Sequence, residues 1–172
     1  MAKIAFILDE MFEDSEFQVP YERAQEAGHE PVIVGLEANK ELEGKKGDVT
    51  TTTEVAASDV DPDEFAALVI PGGYSPDKIR TDEDMVELTK SIHGAGKPVA
   101  AICHAGWMLV EADVVRGRTV TSWPSIKTDL VNAGAQWVDQ EVVEDGNLIT
   151  SRKPDDLEAF SKALLAQIEQ QA

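Results

Sequence analysis

One cysteine in 172 residues leaves no room for an internal disulfide framework. Histidine is nearly as scarce. The three, at positions 29, 93 and 104, show none of the spacing of zinc motifs, so neither a metal nor any other cofactor is expected. Basic residues are also few, 15 Lys and Arg against 33 Asp and Glu, giving a formal net charge of −18. A field of that sign repels phosphate backbones and anionic membrane surfaces, which argues against nucleic acid or membrane as a partner. No apolar run approaches the roughly 18 residues that a bilayer crossing requires. The N-terminus turns acidic where a secretory leader would place small residues and a cleavage site, so the cytoplasm is the expected location.

What is present reads as one α/β domain over residues 1–172. Ile4 to Leu8 is a short apolar run, followed by a helical pattern from about Asp14 to Ala27 in which Phe17, Tyr21, Ala24 and Ala27 share a face. Gly28 stops that helix, and Pro31 to Gly35 is the β-branched run of a second buried strand. Residues 36–66 are charged and then Thr-rich, with an edge strand or short hairpin at Val49 to Val55. Further strands are expected at Ala67 to Ile70, Pro98 to Ile102 and Arg118 to Ser122, and a pair within Trp137 to Ile149 turned at Asp145-Gly146. Helices are expected at about 82–94, with Thr81 and Asp84 as a capping box, at Trp107 to Glu111, at Ile126 to Ala133, and after Pro154. The alternation predicts a three-layer sandwich with a mainly parallel central sheet.

In such a sheet ligands collect beyond the carboxyl ends of the strands, where the loops after Leu8, Ile70 and Ile102 converge if those strands are central. Those loops carry the acidic segment Glu10 to Asp14, the Gly72-Gly73 corner and the dipeptide Cys103-His104. A thiol at a strand-to-helix turn faces unpaired N–H groups and the positive end of a helix dipole, which favour thiolate. The bland alternative is a small buried hydrophobe. His104 is a candidate base, whereas His29 and His93 beside helix-ending glycines read as surface caps. A carboxyl pressed against the thiol in a dry pocket would have a raised pKa and relay a proton; Glu10, Glu13, Asp14 and Glu16 all stand open for that place. Gly72 and Gly73 suit a corner that aims backbone N–H groups at a developing oxyanion. Trp107, Trp123 and Trp137 read as core or interface residues.

These stretches together, Phe12-Glu-Asp14, Val69-Ile-Pro-Gly-Gly73, Ile102-Cys-His104, Thr121-Ser-Trp-Pro124 and Val142-Val-Glu-Asp-Gly146, closely resemble the DJ-1/PfpI superfamily, in its branch of intracellular proteases and general stress proteins. The resemblance implies a flavodoxin-like fold with Cys103 on a nucleophile elbow, Glu13 against its thiol, and the N–H groups of Gly73 and His104 at the oxyanion position. It implies a role for Gly72 and Trp107 in binding substrate. It further implies a dimer or hexamer in which Asp77, where protease relatives carry Glu, completes the site from a neighbouring copy. The functions it implies are cysteine-dependent chemistry on small aldehydes such as methylglyoxal, cleavage of peptides, or oxidative-stress sensing through oxidation of Cys103.

Overall fold

The computed structural model describes residues 1–171. β1 (Lys3–Ile7) runs into a loop and then α1 (Asp14–Glu26), and β2 (Glu30–Gly35) returns parallel to β1. Next come β3 (Glu41–Glu43) and β4 (Thr50–Thr52), a small antiparallel hairpin, and β5 (Val55–Ala56), a parallel edge strand beside β2. The ambiguous Thr-rich stretch therefore supplies both elements that were open for it.

β6 (Ala67–Ile70) leads into α2 (Ser75–Ile79), a five-residue helix that no periodicity announces, and then α3 (Glu83–Gly94). Asp82 caps α3 by accepting the N–H of Met85 at 2.9 Å; Thr81 instead donates to the carbonyl of Lys78. β7 (Val99–Ile102) is followed by α4 (Gly106–Glu111), β8 (Thr119–Val120), α5 (Lys127–Asn132) and β9 (Gln136–Trp137). β8 and β9 pair with each other in a separate two-stranded sheet, so the strand expected at 118–122 stays outside the main one. β10 (Val142–Asp145) and β11 (Leu148–Ser151) form the hairpin expected at Asp145-Gly146, and α6 (Leu157–Gln170) closes the described chain.

The main sheet has the order β10-β11-β7-β6-β1-β2-β5, parallel throughout except at β10. β6 and β7 are wholly apolar and β1 nearly so, and all four residues of β11 are buried, because both faces are covered, the signature of a doubly wound sheet. One face packs beneath α3, α4 and α5, with Leu68, Ile92, Met108 and Leu130 at its centre. The other packs beneath α1 and α6, with Phe6, Phe17, Phe160 and Ile102. This is the flavodoxin-like arrangement. The chain leaves β1 toward β2 and later continues on the opposite side with β6, so the topological switch point lies between β1 and β6. The loops after β1, β6 and β7 surround that point.

Candidate active site

Cys103 is the first residue after β7, and its backbone has φ +62° in a chain where only four non-glycine residues among those described are left-handed. That conformation costs an L-residue about 1–2 kcal/mol. It is held because the Cys103 carbonyl accepts the N–H of Trp123 at 3.3 Å while Ile102 before it and Ala105 after it are buried. The sharp turn lifts the sulfur out of the strand line, where it accepts hydrogen bonds from the backbone N–H groups of His104 and Gly73. The nucleophile elbow read from the sequence is thus present, with both glycine-corner and elbow donors on the sulfur.

The carboxyl at the thiol is Glu16. It has no exposed surface, and it is hydrogen-bonded to Cys103 and, through Oε1, to the N–H of Gly72 at 2.9 Å. Its Oε2 is buried with no hydrogen-bond partner. Glu13, the residue the family resemblance implies for this place, faces elsewhere: it precedes α1 at the N-cap and pairs with Lys45 Nζ at 2.9 Å and Lys46 Nζ at 3.0 Å. The two stand three residues apart on one side of α1, and their partners separate them: Glu13, at the N-cap, is held by the two lysines, while Glu16, beside the buried Phe17, Pro20 and Ala24, lies against Cys103. Spacing alone did not single out Glu16 from its neighbours in the sequence. Ala27, expected on the face of Phe17 and Ala24, is exposed past the helix end.

Burial, reinforced by the negative charge of Glu13, pushes the Glu16 carboxyl up to about 8. Burial and the charge of Glu16 push the Cys103 thiol up to about 12, against the opposing pull of the His104 and Gly73 N–H groups and of Lys45. The expectation that the helix start alone would depress the thiol pKa is therefore corrected: α4 has only six residues, and desolvation outweighs the local donors. The two groups titrate as a unit. The first proton therefore leaves from Glu16 near 8 and the thiol ionises above it, a thiolate at lower pH being reached by moving the thiol proton onto the Glu16 carboxylate.

Gly72 and Gly73 are demanded by close approach. A Cβ on Gly72 would strike Glu16 Oε1 and come to 2.9 Å from Cys103 Cβ; on Gly73, at φ +83°, it would strike the backbone of Glu13 and meet the Met11 carbonyl at 2.7 Å. Phe12 and Gly73 form an antiparallel bridge, and Tyr74 donates to the Met11 carbonyl at 2.9 Å, which ties the loop after β1 to the loop after β6. Exposed Met11, Tyr74 and Trp123 belong to these loops and to the segment hydrogen-bonded to Cys103.

His104 Nδ1 is 3.3 Å from the Cys103 sulfur, and its Nε2 is 3.3 Å from Ser125 Oγ. Burial, then Lys45, lowers its pKa, so the ring is neutral near pH 7. In the tautomer that donates Nε2–H to Ser125, the Nδ1 lone pair faces the thiol. Ser125 was not legible beforehand, because 21 residues and a second sheet separate it from His104. Trp107 packs 5.2 Å from the imidazole and fixes its indole by donating to Asp129 at 2.9 Å. Asp77 is exposed on α2, lines a cleft of about 740 Å³ with Arg80 and Glu111, and forms no bond with His104 within the chain. His29 closes the end of α1 as expected, its backbone N–H donating to the Ala24 carbonyl at 2.9 Å while its Nδ1 accepts the N–H of Ala2, whereas His93 is not the surface cap expected, since its Nε2 is buried. Among the described residues no cluster of three His, Cys, Asp or Glu has the geometry to hold a metal ion, and no helix is long and apolar enough to cross a membrane.

Comparison with known proteins agrees with this architecture. The profile of the DJ-1/PfpI family matches residues 2–167. Protein/nucleic acid deglycase 2 of Escherichia coli is 46% identical over 164 residues, covering 95% of each chain. General stress protein 18 of Bacillus subtilis is 44% identical over 168 residues, covering 97% of this chain and 98% of that one. Among solved structures, a two-domain protein of Anabaena variabilis, with DJ-1/ThiJ/PfpI-like and ferritin-like domains, superposes with a TM-score of 0.97 at 38% identity. That alignment covers 98% of this chain and 48% of the other, so the chain spans about half the length of that protein.

Proposed function

Because the chain belongs to the DJ-1/PfpI family, we propose that it is a cofactor-independent, stress-related enzyme that uses Cys103 to process small reactive aldehydes such as methylglyoxal or their adducts. The observation that carries this reading is the buried pairing of Cys103 with a carboxyl group able to hold a proton at neutral pH. The deglycase and stress-protein names of relatives more than 40% identical point the same way.

The chemistry needs no further group. The thiolate adds to the aldehyde carbon, and Glu16 gives its proton to the oxygen as the C–O double bond opens. The N–H groups of Gly73 and His104 receive the negative charge that develops beside the sulfur. Glu16, now a carboxylate, removes the C–H proton of the adduct; the electrons pass through an enediol, the hydroxyl proton moves from the first oxygen to the second, and the C–H proton returns from Glu16 to the neighbouring carbon. That shift leaves a lactoyl thioester on Cys103. Neutral His104 takes a proton from water as it attacks the thioester, the C–S bond breaks to regenerate the thiolate, the His104 proton returns to Glu16, and the lactic acid formed leaves as lactate with release of one proton. On an amine adduct of methylglyoxal the same attack displaces the amine. A reduced, unbridged thiol fits work in the cytoplasm.

The peptidase alternative requires a carboxylate on His104, and within the chain the polar partner of that ring is Ser125. We assign Asp77 to that role from a neighbouring copy, which requires at least a dimer. Aldehyde conversion uses only groups already gathered around the sulfur and is favoured for that reason. The test is the fate of methylglyoxal with wild type and Cys103→Ala, scored as lactate and as lost aldehyde separately. Lactate from wild type alone supports the reading. Aldehyde loss without lactate would reduce Cys103 to a nucleophile that merely forms adducts.

A further inference from the structure

Asp14 sits beside the catalytic constellation and takes no part in the chemistry above, yet it is almost wholly buried. Its carboxylate accepts the N–H groups of Lys46 at 2.9 Å, Asp48 at 3.0 Å and Val49 at 2.9 Å, all in the loop that joins β3 to β4. The loop is shaped around it. A Cβ on Gly44 would run into the Asp14 carboxyl, Gly47 is left-handed at φ +75°, and the Lys45 N–H donates to the Phe12 carbonyl at 2.8 Å. The outcome is that two consecutive lysines hang over the site, with both ammonium groups on the two oxygens of Glu13.

We infer that Asp14 is a positioning residue that folds the Gly44–Val49 loop so that Lys45 is fixed as the cationic wall of the Cys103–Glu16 pair. A buried carboxylate that spends its acceptors on three consecutive-loop amides is an ordered clamp and not a solvated first-turn charge. Burial works to raise its pKa, but the amides of Lys46, Val49, Asp14 itself and Asp48 outweigh that, and the group stays ionised. Lys45 is the one cation whose charge acts on Cys103, Glu16 and Glu13 together. The charged and titratable groups that act on the thiol are Glu16 on α1, Lys45 on the hairpin loop and His104 on the elbow, while Glu13 acts on Glu16 and is held by Lys45 and Lys46. In a chain of net charge −18, a lysine loose in solvent would leave this pair exposed to a negative field that holds its proton on. The clamp keeps the opposite charge in place.

The inference rests on Cys103 being the reactive group and not on the identity of the substrate, so its test uses a neutral alkylating probe. Iodoacetamide labelling of Cys103 is followed by mass from pH 6 to 10. For wild type, the labelling rate should rise with pH, its midpoint marking ionisation of the thiol, which burial and Glu16 hold above the ordinary thiol value. Lys45→Met should move the midpoint upward by about half a unit or more, the direction expected on removing a nearby opposite charge. Asp14→Asn should give the same upward shift, and the double variant no more than Lys45→Met alone, since both act through one ammonium group. Gly44→Ala, which displaces the loop while keeping every charge, should shift it too and guards against an Asp14→Asn chain that fails to fold. Lys162→Met, an exposed charge change on α6, is the control and should track wild type. Variants of Asp14, Gly44 and Lys45 that superimpose on wild type would overturn the inference alone. A wild-type thiol left unlabelled across the range would overturn the reading of Cys103 itself.

Discussion

At the level of single residues, the fold makes Glu16 its most costly ionisable group and then uses it. A carboxyl whose folded pKa is raised to about 8 from an ordinary 4.5 stabilises the native state fully only below about pH 4.5. That contribution is lost as pH rises toward 8, because the unfolded chain releases a proton that the folded chain retains. Glu16→Gln keeps an oxygen for the Gly72 N–H and removes the titration. Urea unfolding of this variant and wild type should differ little at pH 4.5 and diverge in favour of the variant with rising pH, by on the order of 4 kcal/mol above pH 8. A constant difference across that range would mean that Glu16 is ionised in the native state. The same substitution should abolish lactate production, so stability and turnover move in opposite directions at one position. Ser125→Ala, by contrast, should leave stability within about 0.5 kcal/mol, as for an exposed side chain, while lowering turnover through His104.

At the level of elements, the elbow and the glycine corner act as one unit. Cys103→Gly should be at least as stable as Cys103→Ala although it buries less, because φ +62° costs alanine about 1 kcal/mol that glycine does not bear. Thermal unfolding of the two variants checks this, and a markedly less stable glycine variant would count against strain at the elbow. Gly72→Ala should destabilise by about 1–3 kcal/mol, since its methyl has no space between Glu16 and Cys103. Much of this was legible in the sequence. β1, β2, β6 and β7 read as buried strands because they are uninterrupted apolar runs, and their central positions placed three loops at the site. α2 was not legible because five residues carry no helical period. The thiol partner was open among four acidic residues because Glu13 and Glu16 stand three apart on one helix face, and only the contacts with Lys45 and Lys46 draw Glu13 aside. Lys45, Lys46 and Ser125 escaped notice because they arrive from loops whose docking depends on long-range contacts such as the Asp14 clamp.

For the whole molecule, the charge of −18 and the exposed position of Asp77 make two separate demands. Self-repulsion at that charge is screened by salt, so the thermal midpoint should rise by about a few degrees between 10 mM and 0.3 M sodium chloride. If Asp77 serves a neighbour's His104, native mass spectrometry should find a dimer or larger assembly, and Asp77→Ala should lose any peptide cleavage while its own Cys103 still alkylates and still forms lactate. Mixing Asp77→Ala with Cys103→Ala chains should then restore part of that cleavage, because a mixed interface holds one intact site; no recovery on mixing would place Asp77 outside the reaction. The central claim is that one buried carboxyl, Glu16, carries the proton for Cys103. It is tested most directly by the rate of lactate formation from methylglyoxal in Glu16→Gln against Glu13→Gln. The account predicts a loss of about 100-fold or more for Glu16→Gln, the scale of a removed general acid–base group, with Glu13→Gln retaining most of the wild-type rate. Wild-type turnover by Glu16→Gln, with activity lost on Glu13→Gln instead, would contradict it.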